Sequence, residues 1–275
     1  MTAFHVISGP GQTPAFPIVR KIGISDLKHA LSNGIDDFLA MPSSLFFLGL
    51  IYPIVGFCLA GYALPLFFPL MSGFALIGPF AAIGLYEISR RRELGLEPHW
   101  SDAFGVCRSP SVPSLLALGL LLLFIFRLWL AAAEALYGWL YGSSEPESYV
   151  GFLVDTLTTS RGWTMIVLGD MIGAVFAVVV LAISIVSFPL LLDRDVGLVV
   201  AVRTSVRSVL ENPVTLAIWG LIVAVLLAIG FVLMFVGLAV TVPILAHATW
   251  HLYRRIVAPV RPATAEPDNI GRAAA

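Results

Sequence analysis

His247 and His251 are the two residues of this chain best placed by type and spacing to hold a ligand. Residues four apart on a helix share one face, and two imidazoles so arranged can bind a metal ion or a haem iron. No Glu follows His247, so the zinc-protease pattern is absent, and no nearby Cys, Asp or Glu offers a third ligand. The competing reading is hydrogen bonding to a neighbouring helix or to lipid. It is favoured because so few ligands are at hand, and no cofactor is expected.

A second set is Arg127, Glu134 and Asp170, the ionisable residues inside long apolar runs. Charge in a bilayer is costly and normally faces the bundle interior in pairs. Glu134 lies two turns beyond Arg127 on the same helical face, and Asp170 starts the next run at a similar depth. Arg127 can therefore bridge to either acid. Two readings stay open: a structural ion pair between two spans, which is preferred, and an ion or proton path. A third set is basic: Arg90, Arg91 and Arg92 with His99 and Trp100, and Arg254 with Arg255. These suit phosphate headgroups or a partner subunit, and they also serve as ordinary membrane anchors. No Gly-rich phosphate loop, nucleophile elbow or paired-Cys motif appears, and no catalytic residue is assigned.

The elements that must position these residues are membrane helices. Hydrophobic residues form 59% of the 275 and charged residues 12%, against about half and a quarter in soluble domains. Six apolar segments can be drawn, near 43–64, 66–88, 114–141, 164–192, 214–234 and 237–253. Segments 43–88 and 214–253 are each about twice the length that spans a bilayer, so each must fold as a hairpin. Pro65 and Pro69 mark the first turn, and Gly237 the second. Fourteen of the sixteen Lys and Arg fall in stretches 1–42, 89–113, 193–213 and 254–275, Arg161 falls on the other side, and Arg127 lies within a span. Short basic loops stay in the cytoplasm, which puts both termini there. The longest outer loop, near 142–163, is mildly acidic.

Residues 1–42 show no cleavable signal peptide, so the first span is read as the uncleaved insertion signal. Cys58 and Cys107 sit at different depths, which argues against a disulfide or a metal pair. The net charge of −1 gives no reason to expect nucleic acid as a partner.

Two amphipathic segments precede hairpins. Residues 25–41 place Leu27, Leu31, Ile35, Phe38 and Leu39 at helical spacing, with Ser25 as the cap and Pro42 as the stop. From Asp195, read as a cap, to Pro213, a stripe of Val199, Val202, Val206, Val209 and Leu210 opposes Arg203, Arg207 and Glu211. Both are expected to lie in the plane of the cytoplasmic interface; plain connector helices are the alternative. A shorter helical stretch opens at Trp100-Ser101-Asp102 and ends near Pro110 or Pro113. Gly73, Pro79, Tyr86 and Arg90-Arg91 match Gly237, Pro243, Trp250 and Arg254-Arg255 at a constant offset of 164. The fold class is thus all-α, a polytopic membrane protein of six transmembrane helices as three hairpins, each preceded by a cytoplasmic in-plane helix. Residues 1–24 form a flexible cytoplasmic N-terminus, 25–257 one membrane domain with parallel repeats at 25–92, 101–192 and 195–255, and 258–275 a flexible tail.

Residues 73–87 (GFALIGPFAAIGLYE), 188–197 (FPLLLDRDVG) and 247–255 (HATWHLYRR) resemble the signatures of a bacterial family of predicted integral membrane proteins, found mainly in proteobacteria and catalogued as a domain of unknown function. The resemblance covers roughly 20–257 and implies no activity. The label "cytochrome c oxidase subunit I-like", carried by some members, is not accepted. That subunit needs six intramembrane histidines and is about twice as long, whereas this chain holds five histidines, with His5, His29 and His99 outside the spans.

The sequence therefore points to a bacterial inner-membrane protein, non-enzymatic, with an accessory, assembly or scaffolding role and with lipid or other membrane proteins as partners. A small transporter or channel using Arg127, Glu134 and Asp170 is the alternative, and a redox or metal enzyme using His247 and His251 the third.

Overall fold

The structure is a computed structural model that describes residues 17–43, 82–103, 105–106, 109–142, 148–233 and 236–259. The first two expected spans, with Pro65, Pro69, Gly73, Pro79 and Cys58, fall largely outside these, as does Cys107.

The described residues form helices: α1 (Ile24–Ala40), α2 (82–93), α3 (Trp100–Ala103), α4 (Val112–Tyr141), α5 (Tyr149–Thr158), α6 (Ser160–Ser184), α7 (Ser187–Asp193), α8 (Leu198–Glu211), α9 (Pro213–Val232) and α10 (Leu238–Ile256). Among them, Val112–Tyr141, Ser160–Asp193 and Pro213–Val232 are long and apolar enough to cross a membrane, with mean hydropathies of 2.4, 2.8 and 2.6. These are the third, fourth and fifth expected spans. Local chemistry sets their ends. Pro113 and Pro213 sit at helix starts, where a missing N–H costs nothing. Gly142, at φ 69°, stops α4. Thr159 caps α6 by accepting from the Gly162 amide at 3.0 Å. The long apolar run breaks at Ile185 and Val186, where the amide of Val186 donates to Ser205 Oγ of α8 instead of to its own helix. Gly173 makes room on α6 for the Trp129 ring of α4, which a Cβ would approach to 3.2 Å.

The segment drawn as the sixth span is helical as α10, begun after Gly237, but it is not among the helices long and apolar enough to cross a membrane. Its C-terminal half carries His247, His251, Arg254 and Arg255, and α1 runs antiparallel along that half. Asp26 lies beside Arg255, Gly34 on Ala248, and Asp37 between His247 and His251. The chain before α1 pairs with the chain after α10 through Arg20 N to Ile256 O at 2.8 Å and Ala258 N to Ile18 O at 3.0 Å. Asn212, at the α8–α9 corner, ties in the same stretch through Ile22 N at 2.8 Å and Arg20 O at 3.1 Å.

Several expectations are corrected here. Helix α1 packs lengthwise on α10. Its buried face is Leu27, Ala30, Gly34, Asp37 and Phe38, while Ile35 and Leu39 stay exposed. On α8 the buried face is Val200, Ala201, Thr204, Ser205 and Ser208, while Val199 and Leu210 of the apolar stripe stay exposed. In both helices small residues won over large ones, because they let two backbones approach closely. Ser25 is not the cap of α1: Gly23 precedes the helix and its amide donates to Asp26 Oδ2 at 2.9 Å. Asp195 is not the cap of α8, which starts after Gly197 at φ 77°. Of the Trp100 stretch, Trp100–Ala103 are described as helix, and residue 104 lies outside the described residues. Finally, the outer loop near 142–163 contains α5, whose Ser148 cap accepts from Gly151 N at 3.0 Å.

Candidate functional site: a buried polar joint at the Arg-rich end

The two histidines meet a carboxylate and a hydroxyl from elsewhere in the chain. Asp37 of α1 accepts from Ser89 Oγ of α2 and, at 2.8 Å, from His251 Nε2 of α10. Its other oxygen accepts from Arg92 of α2 at 2.6 Å. Ser89 Oγ lies 2.7 Å from His247 Nδ1. The Ser89 proton is committed to Asp37, so this last bond requires His247 Nδ1–H to donate to Ser89. His247 Nε2 is thereby left as a bare acceptor, buried and with no partner among the described residues. His247 and Ser89 are fully buried. Burial alone would raise the Asp37 carboxyl. The hydrogen bonds from His251 and Ser89, with the electrostatic pull of both histidines, outweigh it and hold Asp37 below its ordinary value.

This geometry bears on metal or haem binding. His247 Nδ1 and His251 Nε2 both address the Ser89–Asp37 pair, so the two rings do not turn lone pairs toward one open point. No group of three or more His, Cys, Asp or Glu among the described residues is arranged to hold a metal ion. The pair does not fit a shared metal or haem. Nor does Ser89 have the relation to an imidazole that makes a nucleophile: its proton goes to a carboxylate. What the cluster can do is lock α1, α2 and α10 together, since a buried charge held by three donors is stable only in one arrangement.

The basic residues are mostly spoken for by acids of the same chain. Arg90 grips Glu87 with two bonds, at 2.7 and 2.8 Å. Arg91 bonds Glu87 at 3.0 Å and Asp102 at 3.1 Å. Arg254 meets Glu93 at 2.9 Å and Asp193 at 3.6 Å, and Glu93 also accepts from the Trp250 ring at 3.1 Å. Arg255 is the loosest, half-exposed and 3.7 Å from Asp26. A solvent-open cleft of about 580 Å³ beside the joint is lined by Arg20, Asp36, Arg92, Glu93, His251 and Arg255 among others. Two of these contacts are equivalent. Arg91 and Arg255, 164 residues apart, each pair with an Asp (Asp102, Asp26) that also accepts from the backbone N–H three residues earlier, His99 at 2.8 Å and Gly23 at 2.9 Å.

Arg127, Glu134 and Asp170 are not brought together. All three are exposed on the outside of α4 and α6, and none has an ion pair among the described residues. The expected Arg127 bridge is absent because its helical face is turned away from α6; the face turned toward it carries Trp129 and Leu136.

Asp37 and Ser89 were not singled out in the sequence. Asp37 stands 214 residues from His251, and Ser89 158 from His247. The one local signal is that Asp37 shares a helical face with Ala30 and Gly34, an acid on a small-residue stripe.

The apolar helices and the family comparison together make the chain an integral membrane protein. Residues 66–193 match a family model described as "Predicted integral membrane protein (DUF2189)". That is the kind of family read from residues 73–87 and 188–197; the histidine segment 247–255 lies beyond the match. Comparison with curated proteins and with solved structures gave no match.

Proposed function

We propose that this chain is a non-enzymatic accessory, assembly or scaffolding component of a bacterial inner membrane that binds other membrane proteins through the outer surface of its spans. One observation carries this reading. Arg127, Glu134 and Asp170 lie on exposed faces of α4 and α6 without a partner in their own described chain. At about 1.5 Å per residue, Arg127 is about 22 Å from one end of α4 and about 21 Å from the other, the middle of the hydrocarbon. An Arg there costs roughly 2.5–3.5 kcal/mol on insertion scales. A second protein carrying a complementary charge relieves that cost.

The proposed topology keeps six spans, parallel repeated units and both termini in the cytoplasm. The equivalent Arg91–Asp102 and Arg255–Asp26 joints support the repeats. Lipid is the surrounding partner and no nucleic acid is involved. A transporter or channel using Arg127, Glu134 and Asp170 has less support, because outward-facing charges line no path among the described residues. The test is copurification in a gentle detergent. A stable membrane-protein partner that is lost on Arg127→Leu supports the reading, and a solitary protein that carries ion flux in proteoliposomes overturns it.

A further inference from the structure

The outer connection between α4 and α6 holds a helix with an open apolar face. Val150, Leu153, Val154 and Leu157 of α5 are each between 50 and 72% exposed. Their spacing of three, one and three puts them on one stripe of an α-helix. The opposite side is pinned to the spans. Asp155, the one ionisable residue of α5, accepts from Tyr141 at the end of α4 at 2.7 Å, and Phe152 packs on Tyr137 and Tyr141 with ring centroids 6.2 and 6.3 Å apart. Thr156 meets Gly162 of α6 so closely that a Cβ there would fall 2.3 Å from its backbone. The helix is therefore held in one orientation, with its apolar stripe outward.

We propose that α5 is an in-plane anchor, its stripe seated among lipid acyl chains at the membrane boundary opposite the Arg-rich end. Three observations select lipid as the occupant. The stripe carries no charge. It continues the exposed ridge of α6, because Trp163 donates from its ring nitrogen to Leu157 O at 3.0 Å and the ridge then runs through Val167, Met171, Val175 and Val178. Exposed Trp163, bonded to the end of α5, is the residue type that settles where acyl chains meet headgroups. A helix of this kind sinks roughly 5–10 Å into that boundary.

The test uses the full chain in nanodiscs, with Cys58→Ala and Cys107→Ala as background. An environment-sensitive fluorophore is attached at Leu153→Cys, at Val154→Cys, or at Glu97→Cys, in the exposed connection after α2, as the water-facing position. The expected result is blue-shifted emission at 153 and 154, quenched by nitroxide lipids and shielded from iodide, with water-like emission at 97. Iodide quenching equal at all three positions would overturn the proposal. So would shielding at 153 and 154 that appears only with two copies per disc, since a second copy would then be the occupant. Two stripe positions guard against one label disturbing the fold.

Discussion

Gly34→Ala adds one methyl group at the tightest point of the α1–α10 contact. That Cβ would lie 2.6 Å from the Ala248 nitrogen and 2.7 Å from its Cα, backbone atoms that cannot rotate away. Ordinary contact begins near 3.4 Å, so α1 must retreat by 3.4 − 2.6, or 0.8 Å. Overpacking of this kind costs about 1–3 kcal/mol. Asp37 is one turn further along the same face. The same retreat would stretch its 2.8 Å bond to His251 toward 3.6 Å, beyond hydrogen-bonding range. Losing a hydrogen bond to a charged group costs about 1.5–3 kcal/mol. Ala is a better helix former than Gly by about 1 kcal/mol, which offsets part of this. The net expectation is a loss of about 1.5–5 kcal/mol. Gly138→Ala in α4 is the matched control, because nothing lies within 4 Å of its Cβ position and only the helix-propensity gain remains. Unfolding in mixed micelles, followed by tryptophan fluorescence, measures both. Gly34→Ala as stable as the parent chain would refute the close α1–α10 contact and, with it, the route by which Asp37 reaches both histidines.

Three further outcomes are expected. Asp37 has a folded-state value below its ordinary 3.8, so its stabilisation is complete above the unfolded value and disappears as pH falls through the folded one; Asp37→Asn should be less stable near pH 7 and should flatten the acid limb of a stability–pH curve, and an unchanged limb would count against the joint. Arg127→Leu should leave the unfolding midpoint of the purified chain unchanged or raised, with a gain of up to about 3 kcal/mol, and a marked loss would mean that Arg127 has a structural partner in its own chain. Reporter fusions at positions 100 and 205 should be active as cytoplasmic fusions, and periplasmic activity at either would invert the topology.

The long apolar runs were legible because hydrophobicity over twenty residues has few structural meanings, and α4, α6–α7 and α9 fall where they were drawn. The ten-residue α5 was not. It is half the length of a span and follows a mildly acidic stretch, so it read as loop. The faces that α1 and α8 bury within the protein were not legible for a different reason. Periodicity weights large apolar side chains, whereas Gly34 on Ala248 depends on the absence of a side chain. The shared face of His247 and His251 was visible from their spacing, but the groups they face come from α1 and α2. Nothing local to residues 247–251 announces Asp37 or Ser89. Arg127 was expected to face inward because a lone chain would need it to; which way a mid-span residue points depends on which face packs, and Trp129 and Leu136 decided that.

The claim that the outward charges of the spans meet another protein is tested most directly by photo-cross-linking in intact cells, with a photoreactive residue at Leu128, beside Arg127. The account predicts one discrete cross-linked membrane protein, identified by mass spectrometry, whose yield collapses when Arg127→Leu or Asp170→Asn is added. Adducts with lipid alone, or a product indifferent to both substitutions, would contradict it.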